Sequence, residues 1–328
     1  EFQNFLKDLD SNYTLFYKII KNLAIFDCLL SLTTTSSLPN YTRPTLIDDD
    51  LTILVKQARH PTIEQLRPNY VANDININIE YDKNRVLIIT GPNMGGKSSY
   101  VKTVALLTVM TQIGCYLPCQ NATMGIFDSI FIRMGANDNI LKGYSTFMME
   151  MLQCKNIILM MSNRSLIILD EIGRGTGTID GISLAYSILK YLIESEFKPL
   201  VLFITHYPSI HVLEQEYPNQ LVVNYHMGYQ EIKNNTPGEI PEIIFLYNLC
   251  RGVVNNLYGL NVAKLAGISH DIIKQAYRVS EKVKSDIELK EYWKFAHSLN
   301  KALKEGGSSS PNQLDDIDYY ILSKHSSL

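Results

Sequence analysis

A glycine-rich turn between an apolar run and a helical segment constrains this chain more than any other feature. Val86–Thr90 is an unbroken apolar run of strand length, and Lys97-Ser98 opens a long segment with apolar residues at helical spacing. Gly91 and Gly96 occupy the two glycine positions of the pattern G-x-x-x-x-G-K-[ST], in the strand–turn–helix context that the pattern requires. The alternative is a glycine-rich turn that arose by chance.

The residue types of this turn suit a nucleoside triphosphate. Backbone N–H groups and the positive end of the following helix can surround a phosphate only where side chains stay out of the way, which explains the glycines. Lys97 would reach the β- and γ-phosphates, and the Ser98 hydroxyl would bind Mg²⁺. The predicted nucleotide-binding residues of the turn are Gly91, Pro92, Asn93, Met94, Gly95, Gly96, Lys97, Ser98 and Ser99.

The composition of the chain limits its size class and its possible partners only broadly. The 328 residues are 46% hydrophobic, which is enough for a large core and about two domains. The net charge of −3 gives no bulk signal for nucleic acid or an anionic membrane. The five cysteines lack zinc spacing, no run is long enough to span a bilayer, and the first residues are no signal peptide. We therefore expect an intracellular protein, and a piece of a longer chain because no Met begins it.

The first fifty residues predict a helix followed by a boundary. Apolar residues recur at helical spacing from about Asn12 to Leu30. The segment from Thr33 to Pro44 is rich in β-branched, small and proline residues, so we expect it to break the helix. An acidic turn at 48–50 precedes the globular domain.

The middle of the chain alternates between short apolar runs and helical periods. Runs that are apolar on both faces and separated by helices predict a largely parallel sheet covered on both sides. Alternation at 222–226 and the run at 243–249 predict edge strands, with antiparallel pairing as one option. The other predicted elements are strands at 52–55, 75–79, 129–132, 166–169 and 200–204 and helices at 145–161 and 178–193.

The C-terminal part changes character. Helices are predicted at 255–266 and 270–288, with a break at Gly267, and we predict no structure for the Gly/Ser-rich tail from Gly306. The predicted division is a helical segment at 1–47, an α/β domain at 48–252, a helical pair at 253–290 and a partly disordered extension at 291–328.

Two carboxylates follow the strand predicted at 166–169. In a fold built around a phosphate-binding turn, an Asp at such a strand end meets the Mg²⁺ held by the Ser hydroxyl, and a neighbouring Glu can accept a proton from water. We predict Asp170 as a metal ligand and Glu171 as the general base. The alternative is that the two carboxylates only keep the end of the strand solvated. This alternative would be favoured if the turn bound no phosphate.

Three further segments carry candidate residues. His206 ends the next apolar strand, where an imidazole could hydrogen-bond the γ-phosphate or the water, although a lone His is more often structural. Ser145 begins a predicted helix and can cap it, with Glu150 farther along. The glycine-rich segment 173–181 predicts a loop that faces an anion or a subunit, and flexibility alone is the alternative.

Together these segments resemble the ATPase domain of the MutS family of DNA mismatch-repair proteins, itself similar to ABC-type ATPases. The resemblance covers roughly residues 1–290 in unbroken order. Within the family, segments such as 133–136, 224–228 and 245–247 resemble most the third eukaryotic MutS type, the loop-recognising subunit of the MutSβ heterodimer. The family resemblance rests on residues 58–61, 90–100, 145–148, 169–176, 180–181, 205–207 and 258–266.

The resemblance implies a P-loop NTPase fold of the ABC-ATPase type, with an N-terminal lever helix and a C-terminal helix-turn-helix that packs on a partner. It implies ATP and Mg²⁺ as cofactors. Ser145 would contact the γ-phosphate bound to the partner subunit, and Lys97 and His206 would join Glu171 as catalytic residues. The residues that would pack on adenine are Tyr70, Val71 and Tyr247.

The resemblance also implies partners and a location. We expect a heterodimer with the second eukaryotic MutS type, mismatched or looped duplex DNA bound through domains absent here, MutL-type proteins, no membrane, and a nuclear location. Composite ATP sites would couple hydrolysis to the state of a DNA clamp.

Two residues depart from the family pattern, because Gly177 and Leu257 each stand where Ser is usual. The rival functions are an ABC-transporter subunit, disfavoured because no Leu-Ser-Gly-Gly-Gln is found, and an ATP-dependent dimerisation module with negligible turnover.

Overall fold

The structure is a computed structural model, and it describes residues 1–48, 51–67, 69–78, 84–135, 145–217, 221–232, 240–254 and 258–286. The chain divides into two compact units. The first comprises residues 1–232 and 243–259, and the second comprises residues 233–242 and 260–328. The domain boundaries predicted at 47, 252 and 290 stay a prediction.

Helices and strands alternate through the first unit. The strands are β1 (Tyr41–Thr42), β2 (Thr45–Ile47), β3 (Thr52–Ala58), β4 (Asn73–Asn78), β5 (Val86–Thr90), β6 (Leu117–Pro118), β7 (Asn121–Gly125), β8 (Ser129–Arg133), β9 (Ser165–Asp170), β10 (Leu200–Ile204), β11 (Val222–Ile232) and β12 (Glu242–Arg251). The helices are α1 (Phe2–Ser11), α2 (Tyr13–Ser36), α3 (Ile63–Leu66), α4 (Lys97–Gln112), α5 (Thr146–Met160), α6 (Thr178–Glu194), α7 (Leu213–Glu216) and α8 (Gly259–Leu265), and Pro208–Val212 forms a 3₁₀ helix. Residues 270–286 are also helical.

The main sheet has six strands in the order β12-β11-β5-β10-β9-β8. Every pairing from β11 to β8 is parallel, which confirms the predicted, largely parallel sheet. Alternate residues of the central strands enter two cores: Val86 and Ile88 pack with α5 and α6, and Leu87 and Ile89 pack with α4. Both faces of the sheet are therefore covered.

A second sheet, which the sequence patterns did not predict as such, packs on the α4 side of the main sheet. Its strand order is β2-β7-β3-β4. Ile53, Ile75 and Met124 from three of its strands share one core cluster with α4. This sheet fixes β4 and the chain before it near the beginning of α4.

The prediction of edge strands at 222–226 was wrong for β11, because β11 lies inside the sheet and pairs parallel to β5. Its polar Asn224 is only 2% exposed. The Asn224 side chain donates to the carbonyl oxygen of His211 and to the carboxylate of Glu214. The polar residue in the middle of this alternation, Asn224, is therefore buried and hydrogen-bonded and does not face solvent at an edge.

The N-terminal helix differs from its prediction at both ends. α2 continues to Ser36, through the threonines that were expected to break it, and α1 precedes it without having been predicted. The hydroxyls of Thr33, Thr34 and Thr35 each donate to the backbone carbonyl four residues earlier, so these side chains are accommodated within the helix. No residue of α1 or α2 is buried.

The other predicted elements of the first unit are confirmed to within a few residues. β3 extends beyond its predicted end at residue 55. The strands β8, β9 and β10 and the helices α5 and α6 match their predictions. Towards the C-terminus the helical break at Gly267 is confirmed, and α8 begins at Gly259. Predictions that fall on residues 49–50, 79, 255–257 and 287–328 lie outside the described residues.

Arg85 supports the main sheet at the beginning of β5, the end away from the glycine turn. It is only 3% exposed, and its guanidinium donates to the carbonyl oxygens of Ile193 at 2.6 Å and Pro199 at 3.2 Å, near the end of α6. Burial lowers the Arg85 pKa to about 10. The cation satisfies carbonyl groups that a helix end leaves without partners.

Replacing Arg85 with Met should lower the free energy of unfolding by about 3 kcal/mol, since buried carbonyls lose a charged donor. The measurement is the midpoint of the denaturant transition. The matched control is Arg251→Met at the exposed end of β12, which should change that free energy by less than about 0.5 kcal/mol. Equal midpoints for the two variants would contradict the role assigned to Arg85.

Candidate functional site

The turn between β5 and α4 has a backbone that requires glycine. Gly91 has φ +119° and Gly96 has φ +102°, both in the left-handed region. A Cβ at Gly91 would also lie 3.0 Å from the backbone nitrogen of Met227, because β11 passes directly beside the turn. Pro92 and Gly95 are buried, whereas Asn93 and Met94 are exposed.

Lys97, the first residue of α4, is only 5% exposed. Its Nζ donates to the carbonyl oxygens of Gly91 at 2.8 Å and Pro92 at 3.0 Å, so the side chain folds back along the turn. Burial lowers the Lys97 pKa to about 8, against the opposing effect of the carboxylates of Glu171 and Asp170. The ammonium group is held at the turn and lacks the full solvation that it would have in water.

Ser98 meets Asp170 across the edge of the sheet. The Ser98 hydroxyl donates to Oδ2 of Asp170 at 3.1 Å. Burial raises the Asp170 pKa, and the hydrogen bond from Ser98 opposes this rise. One hydroxyl and one carboxylate fit Mg²⁺, which is usually held by one or two carboxylates together with phosphates and waters. Among the described residues, no three His, Cys, Asp or Glu side chains are grouped around a possible metal position.

Glu171 follows β9 with a strained backbone of φ +53°. Its Oε1 lies 2.5 Å from Nε2 of His206, and its Oε2 pairs with the guanidinium of Arg174. The hydrogen bond from His206 lowers the Glu171 pKa although burial opposes it. The carboxylate is therefore ionised at neutral pH, as a general base must be.

The buried Glu150 side chain, whose role sequence reasoning missed, connects α5 both to β8 and to the loop after Glu171. Glu150 is 4% exposed and Arg133 is 6% exposed. Oε2 of Glu150 lies 3.0 Å from Nη2 of Arg133, and Oε1 accepts from the backbone nitrogen of Gly173 at 2.6 Å. The only sequence signal for these contacts was that Glu150 is an acidic residue among the apolar residues of α5.

Of the segment 173–181, residues 173–177 form a loop folded tightly back onto the first turn of α6, and residues 178–181 are helical. A Cβ at Gly173 would fall well within contact distance of the Gly181 carbonyl oxygen, so this approach excludes side chains. The Tyr207 hydroxyl donates to the Gly173 carbonyl oxygen at 3.1 Å. Gly177 is the N-cap residue of α6, so the Ser that is usual there would supply a capping hydroxyl that this chain lacks.

A cavity of about 460 Å³ opens beside the turn. Tyr70, Val71 and Tyr247 all line it, together with Gly96 and Ser99 of the turn and the beginning of α4. This volume is within the range of about 300–1,000 Å³ that is typical of small-molecule sites. The residues expected to pack on adenine are thus gathered around one opening.

The structure brings most of the predicted site residues together at one edge of the main sheet. Lys97, Ser98, Asp170, Glu171 and His206 all lie at the carboxyl ends of the parallel strands β5, β9 and β10 or just beyond them. Ser145 is placed apart. It caps α5 as predicted, by accepting from the Met148 nitrogen at 3.2 Å. It is exposed, and it is not among the described residues that line the cavity of about 460 Å³.

These features define a mixed α/β protein with a site at the carboxyl edge of a parallel sheet. Residues 87–284 match the family model described as MutS domain V, which is an ATPase-type domain. The chain therefore belongs to the MutS family, and the transporter alternative is set aside. Among the described residues, no helix is long and apolar enough to cross a membrane.

Three similar proteins share the description "DNA mismatch repair protein MSH3". That of Candida albicans is 99% identical over 328 residues, which is all of this chain and 32% of the relative. That of Scheffersomyces stipitis is 60% identical over 98% of this chain and 31% of the relative. That of Saccharomyces cerevisiae is 43% identical over 96% of this chain and 30% of the relative. The chain thus spans about a third of the length of these relatives.

Proposed function

We propose that this chain is the ATP-binding and ATP-hydrolysing dimerisation domain of a mismatch-repair protein that recognises insertion/deletion loops. One observation carries the proposal most directly. Ser98 and Asp170, the two predicted metal ligands, are hydrogen-bonded beside Lys97 and the glycine turn. The fold would be that of a P-loop NTPase of the ABC type.

The residues have separate roles in this proposal. The turn from Gly91 to Ser98 holds the phosphates with its backbone N–H groups and Lys97. Ser98 and Asp170 hold Mg²⁺, which neutralises phosphate charge when bound. Glu171, oriented by its contact with His206, accepts a proton from the attacking water. Tyr70, Val71 and Tyr247 bind the adenine.

The proposal requires a second subunit. Ser145 is exposed at the N-terminal end of α5, where backbone N–H groups favour an anion, and it would face the γ-phosphate held by the partner. The partner would be a MutS protein of the second eukaryotic type. The helices over 259–286 would form the helix-turn-helix that joins the two subunits, with 291–328 as an extension.

Coupling to DNA would use the rest of the polypeptide. α1 and α2 expose many large apolar side chains, among them Phe16, Leu23 and Phe26, which suits the end of a lever that packs against further domains. Those domains would bind mismatched or looped duplex DNA, and MutL-type proteins would bind the complex. We propose a nuclear location because the substrate is nuclear DNA.

The test is made on the full-length protein purified with its MutS partner. We expect the complex to bind duplex DNA with an extrahelical loop more tightly than fully paired duplex, and to release it on addition of ATP and Mg²⁺. Fluorescence anisotropy of labelled DNA measures both. Binding that ignores the loop, or that ATP leaves unchanged, would contradict the proposal.

A second candidate function is a dimerisation module with negligible turnover. It is favoured by one observation, since both carboxylate oxygens of Glu171 are already engaged, by His206 and Arg174. Steady-state phosphate release with and without looped DNA separates the two functions, because the module would hydrolyse no more ATP than a variant without Glu171.

A further inference from the structure

Asn73, the first residue of β4, joins the two chain segments that carry the residues expected to contact the base. Its Nδ2 donates to the carbonyl oxygen of Tyr247 at 2.9 Å, and its Oδ1 accepts from the Leu249 nitrogen at 2.7 Å. Nδ2 also lies 3.4 Å from the carbonyl oxygen of Val71. One side-chain amide thus connects segments that lie 174 residues apart in sequence.

Tyr247 needs this support because its backbone is strained. Its φ is +56°, in the left-handed region that residues with a Cβ rarely adopt, and it lies within β12. Strain of this kind persists only where the surroundings fix it, and it is common at ligand-binding positions. The two Asn73 bonds lie at the Tyr247 carbonyl and two residues beyond it, so they hold the chain that directly follows the strained φ angle.

This conformation places the Tyr247 ring against the glycine turn. A Cβ at Gly96 would lie 3.5 Å from Cδ1 of Tyr247, so the ring faces the turn at a residue without a side chain. Tyr247 remains 45% exposed, which leaves ring surface free. It lines the cavity of about 460 Å³ that Tyr70 and Val71 also line.

We propose that Asn73 is a positioning residue that holds the Tyr247 ring for stacking on the nucleobase. Stacking on an aromatic side chain contributes to the affinity for a base and does not involve the phosphates. Asn73 therefore sets the base-dependent part of nucleotide affinity, whereas Lys97 and the turn set the phosphate-dependent part. This inference rests on the proposed function, which supplies the nucleotide.

The test compares a probe that has a base with a probe that has none. It uses the full-length protein in a complex whose partner subunit cannot bind nucleotide, with a hydrolysis-resistant ATP analogue and inorganic tripolyphosphate. For Asn73→Ala we expect the affinity for the analogue to fall about tenfold and that for tripolyphosphate to stay within about twofold. Retained tripolyphosphate binding also shows that the variant is folded. Asn163→Ala, in the exposed turn before β9, is the matched control and should change neither affinity.

A second variant tests whether Asn73 acts through Tyr247. Tyr247→Leu removes the ring, and the double variant should lose no more affinity than either single variant, because the two residues act as one unit. Additive losses, equal losses for both probes, or no loss for Asn73→Ala would overturn the inference alone. A wild-type complex that binds neither probe would overturn the proposed function and the inference with it.

Discussion

Replacing Glu171 with Gln should slow single-turnover ATP hydrolysis by about 100- to 10,000-fold, the range of general-base contributions. Gln keeps the shape of the side chain but cannot accept the proton. Since Glu171 is ionised at neutral pH in this structure, the loss should be present at pH 7. The measurement is quenched-flow product formation by the full-length complex, with the partner's site disabled.

Nucleotide affinity separates chemistry from binding in the same variant. Glu171→Gln should bind ATP within a few-fold of the wild type, because its side chain faces His206 and Arg174. Glu196→Gln, in the exposed segment after α6, is the control for loss of one carboxylate. Unchanged hydrolysis in Glu171→Gln would exclude Glu171 as the base.

Replacing Lys97 with Met should weaken ATP binding by about 100-fold, because a charged hydrogen bond to phosphate is lost. Met approximates the length of the buried stem but carries no charge. Lys155→Met, on the exposed face of α5, should leave the affinity unchanged. Equilibrium binding of a fluorescent ATP analogue measures both variants, and equal affinities would exclude Lys97 from phosphate binding.

The pH dependence of binding tests the same residue independently. The pKa of Lys97 is about 8 in the structure, and a bound phosphate would raise it, so the complex binds more protons than the free protein above pH 8. ATP affinity should therefore fall as the pH rises through 8. The Lys97→Met variant should show no such fall over the same range, and a fall of equal size would assign it to another group.

The central strands were predictable because their environment is uniform. β9 and β10 are buried along their whole apolar length, so a continuous apolar run was enough to identify them. The second sheet was not predictable in the same way. β3 pairs with β7 more than sixty residues later, and nothing local to the Asn121–Gly125 sequence states which strand it will meet.

In the candidate site, too, some residues were predictable from the sequence and others were not. Lys97, Ser98, Asp170 and Glu171 were identified because fixed spacing in a turn and at strand ends determines where such residues lie. The contacts of Glu150 were missed because its two partners, Arg133 and the Gly173 backbone, come from a different strand and a different loop. The Arg174 contact was missed too, since a glycine-rich sequence does not show which way the Arg174 side chain points.

The link between α2 and the end of α4 has a mechanical consequence. α4 is a rod of about 24 Å that begins at the glycine turn, and α2 is a longer rod of about 36 Å. The chain that follows α4 holds the C-terminal end of α2 in place, since the Tyr116 nitrogen donates to the Ser36 hydroxyl and β6 pairs with β1. A tilt of about 5° at this joint would sweep the far end of α2 through about 3 Å. Under the proposed function, small movements at the nucleotide phosphates would thus be amplified into a displacement of the far end of α2. That displacement would be large enough to change contacts elsewhere in the polypeptide.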